Sequence, residues 1–99
     1  MVMTVFRSRL RPENAPEFEA LAARMMELAE AMPGFIFYKV YRSEDGERCS
    51  IVEFESHEQL FAWRNLAEHR DAQQLGRERY YETYSLHVTE PVRESQFQR

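Results

Sequence analysis

Trp63 and His69 are the residues of this sequence whose types and spacing are best suited to chemistry. Trp63 is the only tryptophan, and Arg64, Asn65 and His69 bring polar groups to the same segment. An apolar pocket with a few polar groups is the usual site for an aromatic ligand. His69 could act as a base near neutral pH, or it could satisfy the last carbonyls of a helix. Trp63 could equally be a core residue, so both interpretations of each residue stay open.

Other arrangements that carry chemistry are absent from the sequence. His57 and His69 are twelve positions apart with no ligand at helical spacing, which disfavours a metal site, and His87 falls in a strand-like run. There is no glycine-rich phosphate loop and no GxSxG nucleophile motif. Cys49 is the only cysteine and cannot form an internal disulfide. We therefore expect no haem, flavin or metal cofactor.

The composition is that of an ordinary globular protein. The chain has 99 residues, 43% hydrophobic and 30% charged, and this length predicts a single domain. No window is apolar over the roughly 18 residues that a membrane span requires. The net charge of −4 argues against a nucleic-acid-binding module. The first residues lack the pattern of a secretory signal, so we expect a cytoplasmic protein that binds small molecules or itself.

Caps and breakers predict where the helices begin and end. Asn14 with Glu17, and Ser56 with Gln59, have the spacing of capping boxes, which predicts helices after each pair. Gly76 is the predicted end of the second helical region. Between these signals, apolar residues recur at helical spacing over residues 18–32.

The remaining segments predict four strands, at residues 2–10, 35–42, 49–55 and 80–89. The order is therefore βαββαβ, an α+β ferredoxin-like fold with a four-stranded antiparallel sheet. Strict alternation places Tyr38 on the other face of the sheet from Phe35 and Phe37, and Tyr81 on the other face from Tyr84. Both faces of the sheet would then carry apolar side chains, so we expect a homodimer that closes sheet to sheet.

The domain is predicted to occupy residues 1–89, and residues 90–99 form a tail. Phe97 is the only large aromatic side chain in that tail. Because it has no partner within the tail, we expect Phe97 to dock on the partner subunit.

The sequence resembles the antibiotic-biosynthesis monooxygenase domain family over nearly its whole length. The resemblance rests on the motifs Pro33-Gly34-Phe35, Val52-Glu53-Phe54-Glu55-Ser56, Ala62-Trp63-Arg64 and Glu68-His69, and on Gln73, Gly76-Arg77 and Val92-Arg93-Glu94. Membership implies a dimeric α+β barrel. The family includes cofactor-free oxygenases of phenols, haem-degrading enzymes, isomerases and proteins without an assigned reaction.

Two branches of this family lead to different expectations. The haem-degrading branch has an Asn on the first strand and a His ten residues after its Trp, where this chain has Ser8 and Gln73. The phenol-oxidising branch resembles the chain at Trp63, with Gln59 in place of an Asn and His69 in place of a Tyr. The resemblance therefore favours the phenol-oxidising branch.

Our hypothesis from sequence is a cofactor-independent monooxygenase of a small phenol or quinol. The alternatives are a small-molecule binding module of the same fold and, less favoured, a haem-degrading enzyme. The sequence does not decide whether the protein is catalytic, nor which substrate it takes. The predicted catalytic residues are His69 as the base, Gln59 as the hydrogen-bonding partner of the substrate oxygen and Arg79 as the residue that stabilises the anion. The predicted substrate-binding residues are Trp63, Tyr38 and Tyr84.

Overall fold

The fold alternates strands and helices in the order that the sequence predicts. The computed structural model describes residues 1–99. A 3₁₀ turn at Pro12–Asn14 precedes the first long helix, and a π-helical turn at Gly76–Tyr80 leads into the last strand. The elements are β1 (Val2–Leu10), α1 (Ala15–Glu30), β2 (Phe35–Arg42), β3 (Arg48–Phe54), α2 (His57–Arg64), α3 (Ala67–Leu75) and β4 (Tyr81–Thr89).

The four strands form one antiparallel sheet in the order β2-β3-β1-β4. Burial alternates along β3, because every second residue from Arg48 to Phe54 is buried and the residues between are half-buried. This period of two marks a sheet with one covered face. The ferredoxin-like α+β prediction is confirmed, while the homodimer remains a prediction.

The core lies between α1, α2 and the covered face of the sheet. Met25 and Ala29 of α1 pack with Val52 of β3 and with Leu60 and Trp63 of α2. Burying a side chain the size of Leu60 stabilises the fold by roughly 1.5–3 kcal/mol. The tight packing of these elements fixes where α2 stands over the sheet, and therefore where Trp63 stands.

The facing predicted for β2 is wrong at Tyr38, because the strand contains an irregularity. Phe35 pairs with Phe54, but the register shifts before Phe37, and Tyr38 pairs with Val52. Phe54 and Val52 both point to the covered face, so Phe35 and Tyr38 share it. Ile36 is the extra residue at this irregularity, and it is 45% exposed.

The facing predicted for Tyr81 is wrong for a similar reason. The register of β1 with β4 shifts between Arg9 and Leu10. The rings of Tyr81 and Tyr84 lie 5.5 Å apart, and both contact Phe6. Tyr81 and Tyr84 therefore meet on the same side of the sheet.

The helix ends follow only some of the sequence signals. Ser56 Oγ accepts a hydrogen bond from the Gln59 backbone N–H at 3.2 Å, which confirms the predicted cap of α2. Asn14 makes no such bond, and its Nδ2 instead donates to the Arg79 carbonyl at 2.8 Å. The first capping box is therefore wrong, because a tertiary contact takes the side chain.

Gly76 follows α3 as predicted, but it does not stop the helical path of the chain. Its φ is −57°, in the right-handed region, and the chain continues into the π-helical turn. A Cβ at this position would lie 2.3 Å from the ring of Tyr81. The glycine is thus required by the close approach of Tyr81, and β4 begins at Tyr81, one residue after the predicted start.

The tail after β4 contains no regular secondary structure. Its Phe97 is 81% exposed, and docking of this side chain on a partner subunit stays a prediction. None of the helices combines the length and apolarity that would let it cross a bilayer.

Candidate active site

A cavity of about 170 Å³ lies between the helices and the covered face of the sheet, and it is partly open to solvent. All four strands and all three helices contribute side chains to it, and most of these are apolar. An apolar cavity of about 150 Å³ is known to hold benzene in an engineered protein. The space is therefore suited to a ligand with one aromatic ring, and the open side leaves room for substituents.

Trp63 forms one wall of this cavity and belongs to the core at the same time. Its side chain is 4% exposed, and its Nε1–H donates to the Met25 carbonyl at 3.1 Å. The indole ring meets Tyr38 edge to face, with the ring centroids 6.0 Å apart. Because the N–H is already bonded, Trp63 offers a ligand only its ring surface.

His69 stands next to Trp63, with the two ring centroids 4.3 Å apart. The Gln73 amide nitrogen lies 2.8 Å from His69 Nδ1 and 3.3 Å from the Arg64 carbonyl oxygen. A carbonyl oxygen can only accept, so this Gln73 atom is a donor to both partners. His69 Nδ1 therefore accepts, and the ring proton resides on Nε2.

The environment of His69 keeps its ring neutral. Burial lowers the pKa of His69, and the positive charge of Arg64 lowers it further, to about 4. A group with so low a pKa is a weak base at neutral pH, whereas its Nε2–H remains a good hydrogen-bond donor. The low pKa thus suits His69 to donate a hydrogen bond better than to act as the base that the sequence suggests.

The predicted ligand contacts Tyr38 and Tyr84 both line the cavity. Tyr81 lines it as well, and the sequence analysis missed it because the shift in register was not foreseen. Burial raises the pKa of Tyr81 to about 12 although the charge of Arg48 opposes this, and burial also raises the pKa of Tyr38. The hydroxyls of Tyr38 and Tyr81 therefore stay protonated and can donate to a ligand oxygen.

Gln59 and Arg79 lie elsewhere, so the structure does not bring all the predicted residues together. The Gln59 amide packs against Gly34 and accepts from Ser56 Oγ at 3.1 Å. Arg79 is on the surface, where its Nη2 donates to Glu17 at 3.1 Å. Neither residue lines the cavity that contains Trp63 and His69.

Sequence reasoning also missed Arg48 and the role of Gln73. Arg48 lines the cavity from the buried face of β3. Arg48, Ser50 and Val52 are two residues apart along the strand and therefore share a face. This spacing could have indicated that Arg48 lies on the face that the helices cover. Gln73 lies four residues after His69, a spacing at which helical side chains meet, and this could have suggested their contact.

Comparison with known proteins identifies relatives of this chain. A family model described as "Antibiotic biosynthesis monooxygenase" matches residues 1–75. The Uncharacterized protein YqjZ of Bacillus subtilis is 32% identical over 94 residues, which are 95% of this chain and 82% of that protein.

Solved structures of similar shape share the fold at low sequence identity. Rv0793 from Mycobacterium tuberculosis has a TM-score of 0.84 and 23% identity, with 96% of this chain and 98% of that chain covered. SnoaB, a cofactor-independent oxygenase from Streptomyces nogalater, has a TM-score of 0.77 and 19% identity, with 94% of both chains covered. At these identities the likeness establishes the architecture.

Proposed function

Since the chain belongs to the antibiotic biosynthesis monooxygenase family, we propose that it is a cofactor-independent monooxygenase of a small phenol or quinol. The observation that carries this proposal is the placement of Trp63 beside His69 on the wall of a partly open, mostly apolar cavity. The description of SnoaB as a cofactor-independent oxygenase supports it by analogy within the fold.

Binding would rest on ring contacts and a few hydrogen bonds. Trp63 and Tyr38 present ring surfaces to an aromatic ligand, and such pairs contribute about 0.5–1.5 kcal/mol beyond the burial of area. His69 Nε2–H and the Tyr81 hydroxyl are donors for a substrate oxygen. The apolar walls strengthen each of these polar contacts because water screens them less.

In the proposed reaction the substrate itself reduces oxygen. A phenol becomes a quinone: one oxygen atom of O₂ enters the ring, the other leaves as water with two substrate hydrogens, and the substrate supplies all four electrons. The rate depends on stabilising the phenolate, since this anion is the electron donor. A preorganised donor such as His69 Nε2–H stabilises the developing charge on oxygen.

A binding module without catalysis is the second candidate. It is favoured by one observation, namely that His69, the histidine of the cavity, has its pKa lowered to about 4 and is a weak base. A binding module needs a cavity and hydrogen-bond donors but no group that removes a proton. The two functions therefore differ in whether oxygen is consumed when a ligand binds.

An oxygen electrode distinguishes these functions. Catechol, hydroquinone, 1-naphthol and 1,4-dihydroxynaphthalene are offered without added cofactor, and autoxidation is subtracted with heat-denatured protein. We expect uptake with at least one substrate, reduced about 10²-fold in His69→Leu, as for loss of one oxyanion donor. His57→Leu is the matched control, because His57 is exposed at the start of α2 outside the cavity. Ligand binding without any uptake would leave the binding module as the function.

We also propose that the protein is a homodimer that packs through the uncovered face of its sheet. Met3, Val5, Phe37 and Ile51 are half-buried in the single chain. Val5 pairs with Ile51, and both alternate with residues of the covered face, so they stand on the uncovered side. Tyr41 adds a ring that is 44% exposed. A second copy of the chain would remove this apolar surface from water.

A further inference from the structure

The cavity contains positive charge without negative charge. Arg48, Arg64 and Arg77 line it, whereas no aspartate or glutamate does. None of these three arginines takes part in an ion pair of the chain. The arginines that do form ion pairs are all outside the cavity: Arg7, Arg9, Arg24, Arg42 and Arg79.

Arg48 is the most informative of the three, because it is only 5% exposed. Its guanidinium carbon lies 4.8 Å from the ring centre of Phe18, and its Nε has no hydrogen-bond partner. Burying a charge is costly unless a partner of opposite sign accompanies it. The chain has a net charge of −4, yet none of its carboxylates reaches this guanidinium.

The sheet face of a second copy cannot supply the missing partner in the dimer proposed above. Arg48 stands on the helix-covered face of β3 with Ser50, whereas the proposed dimer uses the opposite face. The open side of the cavity leaves a route by which an anionic ligand can reach Arg48.

We propose that the substrate of this site is a small aromatic carboxylic acid, bound as its anion with the carboxylate at Arg48 and the ring against Trp63. The assignment deepens the proposed oxygenase function and rests on it for the reaction, although not for binding. A guanidinium matches a carboxylate through two parallel N–H···O bonds. Arg7 with Glu47 and Arg24 with Glu68 form such pairs on the surface of this protein, at 2.7–3.0 Å.

The size of the cavity limits the rest of the ligand. About 170 Å³ accommodates one ring, and the neighbouring Arg64 and Arg77 add to the positive potential that attracts an anion. The hydroxyl that reacts would lie near His69. A hydroxybenzoate-like acid meets these requirements, whereas a neutral phenol leaves the charge of Arg48 without a counter-charge.

Calorimetric titration of the whole protein with benzoate and benzamide tests the carboxylate requirement, since the two probes differ mainly in charge. We expect benzoate to bind at least about 10-fold more tightly than benzamide, as for one hydrogen bond to a charged group. The preference should weaken at high salt. Equal affinities in the wild-type protein would overturn the proposal without any variant being needed.

Variants then assign the preference to Arg48. In Arg48→Gln we expect the ratio of the two affinities to fall to about one, and Arg48→Met serves if the amide variant does not fold. Arg42→Gln is the matched control, because Arg42 is paired with Glu19 outside the cavity. A preference that persists in both Arg48 variants would overturn the assignment to Arg48.

Oxygen uptake separates this proposal from the proposed function. With 4-hydroxybenzoate and 4-hydroxybenzamide as substrates, we expect uptake with the acid to exceed that with the amide. Equal uptake would overturn the substrate class while the oxygenase function stands. A benzoate preference without any uptake would support the anion site and contradict the oxygenase.

Discussion

His69 offers the most direct quantitative test of the site, because its charge state decides its role. Its pKa falls from 6.5 to about 4 through burial first and through Arg64 second, a difference of about 2.5 pH units. At 1.36 kcal/mol per unit, protonating this ring in the folded protein costs about 3 kcal/mol more than in the unfolded chain. We expect the His69 titration midpoint to lie near 4.

The sign of the effect on stability follows from proton counting. Between pH 4 and 6.5 the unfolded chain carries a proton at His69 and the folded protein does not, so stability rises with pH in this window. The stability associated with the neutral ring is complete above pH 6.5 and is lost as the pH falls towards 4. Between pH 7 and 4.5 this loss amounts to about 2 kcal/mol.

Two measurements check this reasoning. NMR titration of the three histidines gives the midpoint directly, and the signal that disappears in His69→Gln identifies the residue. Urea unfolding gives the free energy of unfolding of the wild type and of the same variant at pH 7 and 4.5. The difference between the two proteins removes the contribution of the groups that titrate in both. A midpoint at 6 or above, or equal acid sensitivity of the two proteins, would refute a neutral, buried His69 and restore it as a candidate base.

Three further predictions concern the wall of the cavity, the turn at Gly34 and the proposed dimer. Trp63→Phe should weaken ligand binding by roughly 0.5–1.5 kcal/mol, measured by calorimetry with benzoate, while leaving His69 in place. Gly34→Ala should destabilise the fold by about 1–2 kcal/mol because Gly34 has a φ of +80°. Its Cβ would also meet the Gln59 amide, so Gly46→Ala, with a φ of +91° and open space, should cost less. Light scattering at micromolar concentration should give twice the chain mass, and a monomer would refute the proposed dimer.

The order of elements was predictable because it depends on local periodicity and caps. The apolar repeat over residues 18–32 specifies α1, and the Ser56 hydroxyl marks the start of α2, where the structure has the expected hydrogen bond. The resemblance to a known family located the site near Trp63. Each of these signals lies within a few residues of the feature that it predicts.

The composition of the cavity was less predictable, because it depends on one-residue shifts in strand register. The shift before Phe37 turns Tyr38 towards Trp63, and the shift after Arg9 brings Tyr81 beside Tyr84. A slip of one residue moves a side chain to the other face of the sheet, and no local pattern in β2 announces it.

The same limit applies to Gln59 and to the charge state of His69. Helical spacing relates Gln59 to Trp63, but the contact that places its amide against Gly34 comes from a distant part of the chain. The neutral state of His69 depends on burial and on Arg64, and its Nδ1 is occupied by Gln73. These are tertiary effects, and a sequence shows the residue types without their distances.

The acidity of the substrate is the last property that the site constrains. Tyr81 is a phenol in the same cavity as Arg48, yet its pKa is raised to about 12, because burial outweighs the nearby positive charge. A simple phenol, with a pKa of about 10 in water, would stay protonated in the same position. Even from its value in water, lowering this pKa to 7 requires about 4 kcal/mol, roughly one unit charge at 4 Å with an effective dielectric constant of 20, and burial like that of Tyr81 adds to the requirement. If His69 is a donor as we propose, the substrate needs direct contact with a guanidinium or a hydroxyl of higher intrinsic acidity. For any one phenol, oxygen uptake should therefore increase as the pH rises towards the pKa of that phenol, and uptake that is already maximal well below this pKa would indicate a base not yet identified.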